Sequence, residues 1–301
     1  MQENRIVSNY PLLLGRAWRR AKIAYWGHGK SFQSSAPRGL RERWKRLLLN
    51  KVDWWFAYTG LTTKILLENG YPPARITCLN NAIDNDGFLA DLAAVGPAAL
   101  DAIRRDLDLA PGAPLGLYCG SLYPDKRLDL LAAAGERIHA AIPSFRLVVI
   151  GDGPARAGLA RRLAERDWAR CVGARTGIEK AAYFKLATVV LSPGAVGLHV
   201  LDAFCAGLPM FTTATARHGP EIDYLEHARN GFVCPDDPDA YADAVIGLLR
   251  DADAYAAVCA AASEAGRRYT LDNMVDNFVR GIRACLGERA PAAGAPPQAS
   301  R

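Results

Sequence analysis

The sequence LGLYCGSLYPDKRLDLLAAAGERIHAAIPSFRLVVIG, residues 115–151, begins and ends with a short apolar run. Between the runs, residues 126–141 have apolar side chains at helical spacing, so the order is strand, helix, strand. A second helical pattern follows at residues 154–166. Apolar strands without polar alternation are typical of a parallel sheet that helices cover on both faces. The stretch therefore predicts an α/β domain.

The same alternation continues on both sides of this stretch. Four further strands are predicted downstream, at residues 169–174, 188–192, 209–213 and 231–235. Together with the first two they make six, which is enough for a complete Rossmann-like domain. The clear strands upstream are three, at residues 23–26, 54–58 and 76–79. The upstream half is therefore expected to be an incomplete domain of the same kind.

Domain boundaries follow from this pattern. We predict a partial N-terminal Rossmann-like domain with a linker over residues 1–112, because residues 84–112 show no clear periodicity. Residues 113–286 are predicted to form the second domain, which closes with a region that is helical throughout 238–286. Residues 287–301 are rich in Pro, Ala and Gly, a composition typical of a disordered tail.

Composition restricts the class of protein. Half of the 301 residues are hydrophobic and 23% are charged, as in a soluble globular chain. We find no run of about 18 apolar residues that would predict a membrane-spanning helix, and no secretion signal pattern at the start. The seven cysteines are scattered without a CxxC pair, which favours reduced thiols in a cytoplasmic protein over a disulfide framework or a zinc site.

The net charge of +6 is unevenly distributed, because residues 1–51 contain twelve Lys or Arg and two acids. Their densest part, residues 38–51, also carries Trp44 and Leu47 at helical spacing among the bases. Such a helix could lie on an anionic membrane surface, or it could pack its apolar side chains on the protein. Nucleic-acid binding is not expected, because one short cluster without a binding motif is weak support.

Two glycine-containing turns follow predicted strands. Gly120 and Ser121 end the strand at 115–120, and Lys126 begins the next helix, where its ammonium and backbone amides would suit a diphosphate. The alternative is an ordinary turn with a solvated lysine. Gly151 and Gly153 form the second turn, which lacks the spacing of a dinucleotide fingerprint and by itself indicates only an α/β connection.

The stretch SPGAVGLHVLDAFCAGLP, residues 192–209, places an acid after a glycine turn. The amides of Val196, Gly197 and Leu198 are expected at a helix start, facing an anion. Asp202 lies one turn further along the helix, where its carboxylate could accept hydrogen bonds from a ribose diol. A buried carboxylate needs a partner, and a ligand hydroxyl would provide one. The alternative is an acid that interacts only with the helix dipole.

His28 lies between two glycines just after the predicted strand at 23–26. An imidazole in this place could bind a substrate or stabilise a developing charge. The alternative is an ordinary loop histidine.

Together these segments resemble the GT-B glycosyltransferases of family 4, which are retaining enzymes that use nucleotide sugars. The resemblance covers residues 20–286 and is strongest over 115–235. It rests on the histidine loop YWGHG, on CGSLYPDKRLDLL, VIGDGP and SPGAVGLHVLDAFCAGLP, and on HGPEIDYLEHARNGFVCPDD. The resemblance implies two Rossmann-like domains facing a cleft, the N-terminal one incomplete because the histidine loop comes early. It implies no metal and no cofactor, with the nucleotide sugar as substrate.

The resemblance also implies roles for residues, with departures. Lys126 matches the phosphate-binding lysine, whereas Ser121 stands where the family has an arginine that Arg127 would have to replace. Asp202 matches the second acid of the family's acid pair, which grips the ribose. Gly194 stands where the family has the first acid, so that side chain is absent.

The implied function is transfer of a sugar to a glycan or lipid-linked acceptor, by a cytoplasmic protein on the inner face of the plasma membrane. The alternative is a non-catalytic nucleotide-sugar-binding protein or a partner subunit of a glycosyltransferase. The implied catalytic residues are His28 and Lys126. The implied donor-binding residues are Gly120, Ser121, Lys126, Arg127, Gly151, Gly153, Val196, Gly197, Leu198 and Asp202.

Overall fold

The computed structural model describes residues 21–28, 51–214 and 217–287. The strands of these segments are β1 (Ala24–Gly27), β2 (Trp54–Ala57), β3 (Ile76–Cys78), β4 (Leu115–Cys119), β5 (Arg146–Ile150), β6 (Ala169–Gly173), β7 (Val189–Leu191), β8 (Met210–Thr213) and β9 (Gly231–Cys234). Their α-helices are α1 (Gly60–Glu68), α2 (Asn85–Ala94), α3 (Pro97–Asp106), α4 (Leu128–Ala141), α5 (Arg156–Leu163), α6 (Gly177–Leu186), α7 (His199–Cys205), α8 (Pro238–Arg250), α9 (Ala252–Arg268) and α10 (Leu271–Leu286).

The C-terminal sheet has six parallel strands in the order β6-β5-β4-β7-β8-β9. One face is covered by buried side chains of α2, α6, α7 and α9, and the other face by those of α4, α5 and α8. This is the predicted parallel sheet with helices on both faces. Since parallel strands end at the same edge, the loops that follow β4 and β7 are neighbours in space.

The N-terminal sheet has three parallel strands in the order β1-β2-β3. Leu66 of α1 belongs to the core on one face of this sheet. On the other face α10 returns from the C-terminal end of the chain, and Phe278 stacks on Phe56 with the ring centroids 4.4 Å apart. The last helix therefore completes the core of the first sheet.

All nine predicted strands are confirmed, each within one residue at either end. The region expected to lack periodicity, 84–112, instead contains α2 and α3. The Asp84 carboxylate starts α2 by accepting a hydrogen bond from the amide of Gly87 at 2.9 Å. The region predicted as continuously helical, 238–286, is three helices, because the Asp251 side chain accepts from the amide of Ala254 and begins a new one.

The contacts divide the chain into one unit of residues 1–81 with 272–301 and a second unit of residues 82–271. The division differs from the predicted boundary after residue 112. Phe88 of α2 packs edge-on against Phe184 of α6 at 5.3 Å, which joins the linker to the C-terminal sheet. Two predicted features, the basic segment through residue 50 and the tail from residue 288, lie outside the described residues.

Among the helices that the structure describes, none is both long and apolar enough to cross a membrane.

Candidate functional site

The turn that contains Lys126 packs directly on the loop after β7. It is a single 3₁₀ turn, Pro124–Lys126, between β4 and α4. The Lys126 ammonium donates to the carbonyl oxygen of Ala195 at 2.6 Å, and the amide of Ala195 donates to the carbonyl oxygen of Asp125 at 3.2 Å. Burial lowers the pKa of Lys126, and the charge of Asp125 partly opposes this effect. The predicted phosphate-binding lysine and the glycine loop therefore do meet.

The same packing explains the glycine where the family has an acid. A Cβ atom added at Gly194 would lie 2.3 Å from Cα of Lys126 and 2.4 Å from the carbonyl oxygen of Asp125. No side chain fits there unless the turn or the loop moves. By contrast, a Cβ atom at Gly197 in the same loop would have no neighbour within 4 Å.

Two amides that were expected to face an anion donate instead to imidazole rings. The amide of Val196 donates to Nδ1 of His218 at 3.2 Å, and the amide of Gly197 donates to Nδ1 of His199 at 3.4 Å. The other ring nitrogen of His218 lies 2.8 Å from the carbonyl oxygen of Thr213, which can only accept, so this nitrogen carries the proton. An anion at this loop would have to displace the imidazoles.

Both histidines are neutral. Burial and the charge of Lys126 lower the pKa of His199 to about 3. Burial also lowers the pKa of His218, although its bond to Thr213 partly opposes this. A neutral imidazole keeps one lone pair, which is what each loop amide needs as acceptor. Neither histidine was predicted, because no spacing in the sequence links a histidine to an amide in a neighbouring loop.

The helix that follows the loop begins later than predicted. It starts at His199 with Leu198 as its N-terminal flanking residue, so Val196 and Gly197 belong to the loop. Hydrogen bonds from within the protein stabilise the turn from Pro193 to Gly197. Hydroxyls of Thr212 and Thr213 on β8 donate to the carbonyl oxygens of Gly194 and Pro193, at 3.2 and 2.7 Å.

Arg127 does not join Lys126. It has a left-handed backbone conformation with φ of 53°, which directs its guanidinium to Asp236 at 2.6 Å. A longer contact to Asp129, 3.8 Å, lies on the same side. Two carboxylates therefore pair with Arg127 in this structure, and its replacement of the family's arginine stays a prediction.

The two glycine turns after β4 and β5 fit against each other. Gly151 and Gly153 have φ of 150° and 153°, which favour glycine. A Cβ atom at Gly151 would lie 1.8 Å from the carbonyl oxygen of Gly120, and one at Gly153 would lie 2.6 Å from that of Leu122. The carbonyl oxygen of Ser121 accepts from the Tyr118 hydroxyl at 2.9 Å. Close approach of the two loops therefore accounts for these glycines.

Asp202 has a protein partner that the sequence did not reveal. Its Oδ1 lies 3.1 Å from Nζ of Lys180, which is on α6, and the Asp202 side chain is buried. Burial raises the pKa of Asp202, and the charge and hydrogen bond of Lys180 oppose this effect. The signal was missing because 22 residues and a strand separate the two side chains, and no motif spaces them.

A cavity of about 420 Å³ opens beside this ion pair. Three carboxylates and one ammonium line it, together with an aromatic ring from α2 and the first residue of α6. These residues are Asp84, Asp91, Asp202, Lys180, Phe88 and Gly177. Within the described part of the chain, no group of His, Cys, Asp and Glu has the arrangement of a metal site.

His28 follows β1 in the N-terminal unit. Its ring lies edge-on to that of Tyr58, with centroids 4.3 Å apart. In the C-terminal unit, Lys126 and the loop of Gly194 form one cluster, and Asp202 with Lys180 forms a second one. Helix α7 connects the two, since it begins with His199 beside Lys126 and carries Asp202 one turn later.

Replacing Gly194 by Ala should lower the free energy of unfolding by about 1–3 kcal/mol, because the new methyl group overlaps the backbone of Lys126. Replacing Gly197 by Ala is the matched control and should change it by less than about 1 kcal/mol, since its Cβ has open space. Urea unfolding of both variants measures the difference. Equal effects would show that the turn does not constrain the loop.

Residues 113–251 match the family described as glycosyl transferases group 1. A D-inositol 3-phosphate glycosyltransferase of Catenulispora acidiphila is 30% identical over 196 residues, which are 60% of this chain and 44% of that protein. A GDP-mannose-dependent α-(1-6)-phosphatidylinositol monomannoside mannosyltransferase of Mycobacterium tuberculosis is 30% identical over 229 residues, 70% of this chain and 57% of that protein. The chain spans about half the length of the curated relatives it matches.

Solved structures share the fold at low identity. HepE of Anabaena, crystallised with UDP, has a TM-score of 0.71 at 16% identity. The matched region is 90% of this chain and 75% of the HepE chain. A glycosyltransferase of Rickettsia africae has a TM-score of 0.73 at 15% identity, and the matched region is 94% of this chain and 76% of that protein's chain. Residues 113–251 therefore match the group 1 glycosyltransferases, and the chain shares the GT-B fold of these solved structures.

Proposed function

We propose that this protein transfers a hexose from a nucleotide-sugar donor to an acceptor in glycan or glycolipid assembly. The observation that carries the proposal is the pairing of β4 with β7. It brings the ammonium of Lys126 and the cavity beside Asp202 to one edge of the parallel sheet. Ligands of such sheets bind beyond the carboxyl ends of the strands.

The nucleoside enters the cavity beside Asp202. Three carboxylates and one ammonium give the cavity walls a net negative charge, so a phosphate there would be repelled. A neutral nucleoside meets no such repulsion, and the carboxylate of Asp202 accepts a hydrogen bond from a ribose hydroxyl. The phosphates then lie outside the cavity, on the side of Lys126.

The diphosphate binds at Lys126. Its ammonium leaves the carbonyl oxygen of Ala195 for a phosphate oxygen, a stronger charge-assisted bond. The amides of Val196 and Gly197 become available once His218 and His199 turn away. Stabilisation of the leaving diphosphate by this charge is the largest contribution to catalysis. The ammonium offsets one of the negative charges of the leaving diphosphate, and transfer without a metal is proposed from the family resemblance alone.

The donor sugar has one contact fewer than the family resemblance implies, because Gly194 carries no carboxylate. His28 of the N-terminal unit is proposed as a substrate-binding residue, as the resemblance implies. Retention of the anomeric configuration, assisted by the leaving phosphate, is proposed as the resemblance implies. Since two relatives are a D-inositol 3-phosphate glycosyltransferase and a phosphatidylinositol monomannoside mannosyltransferase, an inositol-containing or lipid-linked acceptor is proposed.

A second function is favoured by the closed loop. Lys126, Val196 and Gly197 are all bonded within the protein, and the position of the first acid is filled by the backbone of the turn. These contacts suit a non-catalytic nucleotide-sugar-binding protein or a partner subunit. Donor hydrolysis, measured over a panel of nucleotide sugars, separates the two functions, since only the enzyme turns over.

Replacing Lys126 by Ala should weaken binding of UDP or GDP about tenfold to hundredfold, the effect of one charge-assisted hydrogen bond. Replacing Arg161, an exposed cation on α5, is the matched control and should leave the affinity unchanged. Calorimetric titration of both variants with each nucleotide measures the effect. Unchanged affinity in the Lys126 variant would remove the diphosphate assignment.

The basic segment 38–51 is proposed to hold the protein on the inner face of the plasma membrane. Each basic residue near an anionic surface contributes about 1 kcal/mol. Replacement of Arg41, Arg43, Lys45 and Arg46 by Ala should therefore abolish pelleting with phosphatidylserine vesicles at low salt. Phosphatidylcholine vesicles are the control for charge. Retained pelleting of the variant, or none of the unmodified protein, would refute membrane binding.

A further inference from the structure

The ammonium of Lys180 is held between a carboxylate and an aromatic ring. Nζ lies 3.1 Å from Oδ1 of Asp202 and 4.4 Å from the centroid of the Phe88 ring. The side chains of Lys180 and Asp202 are 22% and 9% exposed. Because the pair is largely shielded from water, each charge depends on the other more than it would at the surface.

The surroundings of Asp202 otherwise disfavour its charge. The nearby thiols are Cys119 at the end of β4 and Cys205 on α7; burial raises the pKa of Cys119 to about 12 and also raises that of Cys205, so both are neutral. The charged groups that α2 and its N-cap bring to this side are acids, namely Asp84, Asp86 and Asp91. Among the described residues that line this cavity, the cation is Lys180.

We propose that Lys180 is the positioning residue that keeps Asp202 ionised and oriented, and that its ammonium supplies a further contact to the ribose. The inference rests on the proposed function and adds Lys180 to the site. Oδ1 of Asp202 is used by Lys180, so its second oxygen accepts from one ligand hydroxyl. The ammonium has further donors, which bind the oxygen of the neighbouring hydroxyl.

A phosphate-binding role for Lys180 is disfavoured by the same contacts. Its charge is matched by Asp202, and Asp84 and Asp91 also line the cavity. A phosphate group would face these three carboxylates at short range. A diol is neutral and offers both a donor and an acceptor, which is the complement of a carboxylate beside an ammonium.

Removal of the ammonium predicts a specific pH dependence. Without Lys180 the pKa of the buried Asp202 carboxyl rises, since burial is then unopposed. Below the raised pKa the carboxyl is mainly protonated, and the protonated form has one oxygen fewer to accept a hydrogen bond from a ribose hydroxyl. Relative to the unmodified protein, the nucleotide affinity of the variant should therefore fall in mild acid and recover as the pH rises.

The test is calorimetric titration of the full chain with UDP, GDP and their 2′-deoxy counterparts, between roughly pH 5.5 and 8.5. For the unmodified protein we expect the deoxy forms to bind about tenfold more weakly at every pH. In Lys180→Met this preference should shrink below about threefold at the acid end, where overall affinity is also lowest. Lys180→Arg should restore the pH dependence of nucleotide affinity seen in the unmodified protein, because the charge is retained.

Lys185→Met is the matched control on the same helix. Lys185 donates to the carbonyl oxygens of Leu92 and Val95, away from the ion pair. Its variant should therefore keep the pH dependence of nucleotide affinity seen in the unmodified protein. If Lys180→Met does not fold, Lys180→Gln tests the same loss of charge with a donor retained. Carboxyl carbon NMR of Asp202 should show a higher pKa in either variant.

The outcomes separate this inference from the proposed function. If Lys180→Met and Lys180→Gln both kept the pH profile and the deoxy preference of the unmodified protein, the role of Lys180 would be overturned while the donor site stands. If the binding pattern is as expected but no nucleotide sugar is transferred or hydrolysed, the positioning role of Lys180 would be supported and the enzymatic function contradicted. Absence of nucleotide binding by the unmodified protein would contradict both.

Discussion

Parallel pairing of β4 with β7 is the constraint on which the C-terminal unit depends. It fixes the carboxyl ends of two neighbouring strands at one edge of the sheet, so the turn of Lys126 and the loop of Gly194 must share space. Lack of a Cβ at Gly194 allows backbone to pack on backbone. Helix α7 then leaves the loop at His199 and places Asp202 one turn later, beside α6.

The polar groups at this edge are satisfied within the protein. An ammonium, two imidazoles and two hydroxyls bond to the loop between Pro193 and Gly197. Buried amides and carbonyls without partners would be costly, so the loop is stable in this closed form. Anion binding is then an exchange of partners, and its net free energy is smaller than the sum of the new contacts. Asp202 is likewise paired before any ligand arrives.

The sequence predicted most of the fold and only part of the site. Apolar runs located the strands because a strand covered on both faces leaves a continuous signal. Helix α2 was missed because its start depends on the carboxylate of Asp84 rather than on periodicity. The departure at Gly194 was visible, but its physical reason, contact with the turn at Lys126, required coordinates. Lys180 was missed because a partner on another helix leaves no spacing in the sequence.

One nucleotide is proposed to span both clusters of the C-terminal unit, with the nucleoside at Asp202 and the phosphates at Lys126. The decisive measurement is a crystal structure of the protein with a bound nucleoside diphosphate. We expect a ribose hydroxyl within hydrogen-bond distance of Asp202 and a phosphate oxygen on the Lys126 ammonium, with the bond to Ala195 broken. A nucleotide bound elsewhere, with Lys126 still on Ala195 and the cavity beside Asp202 unfilled, would contradict it.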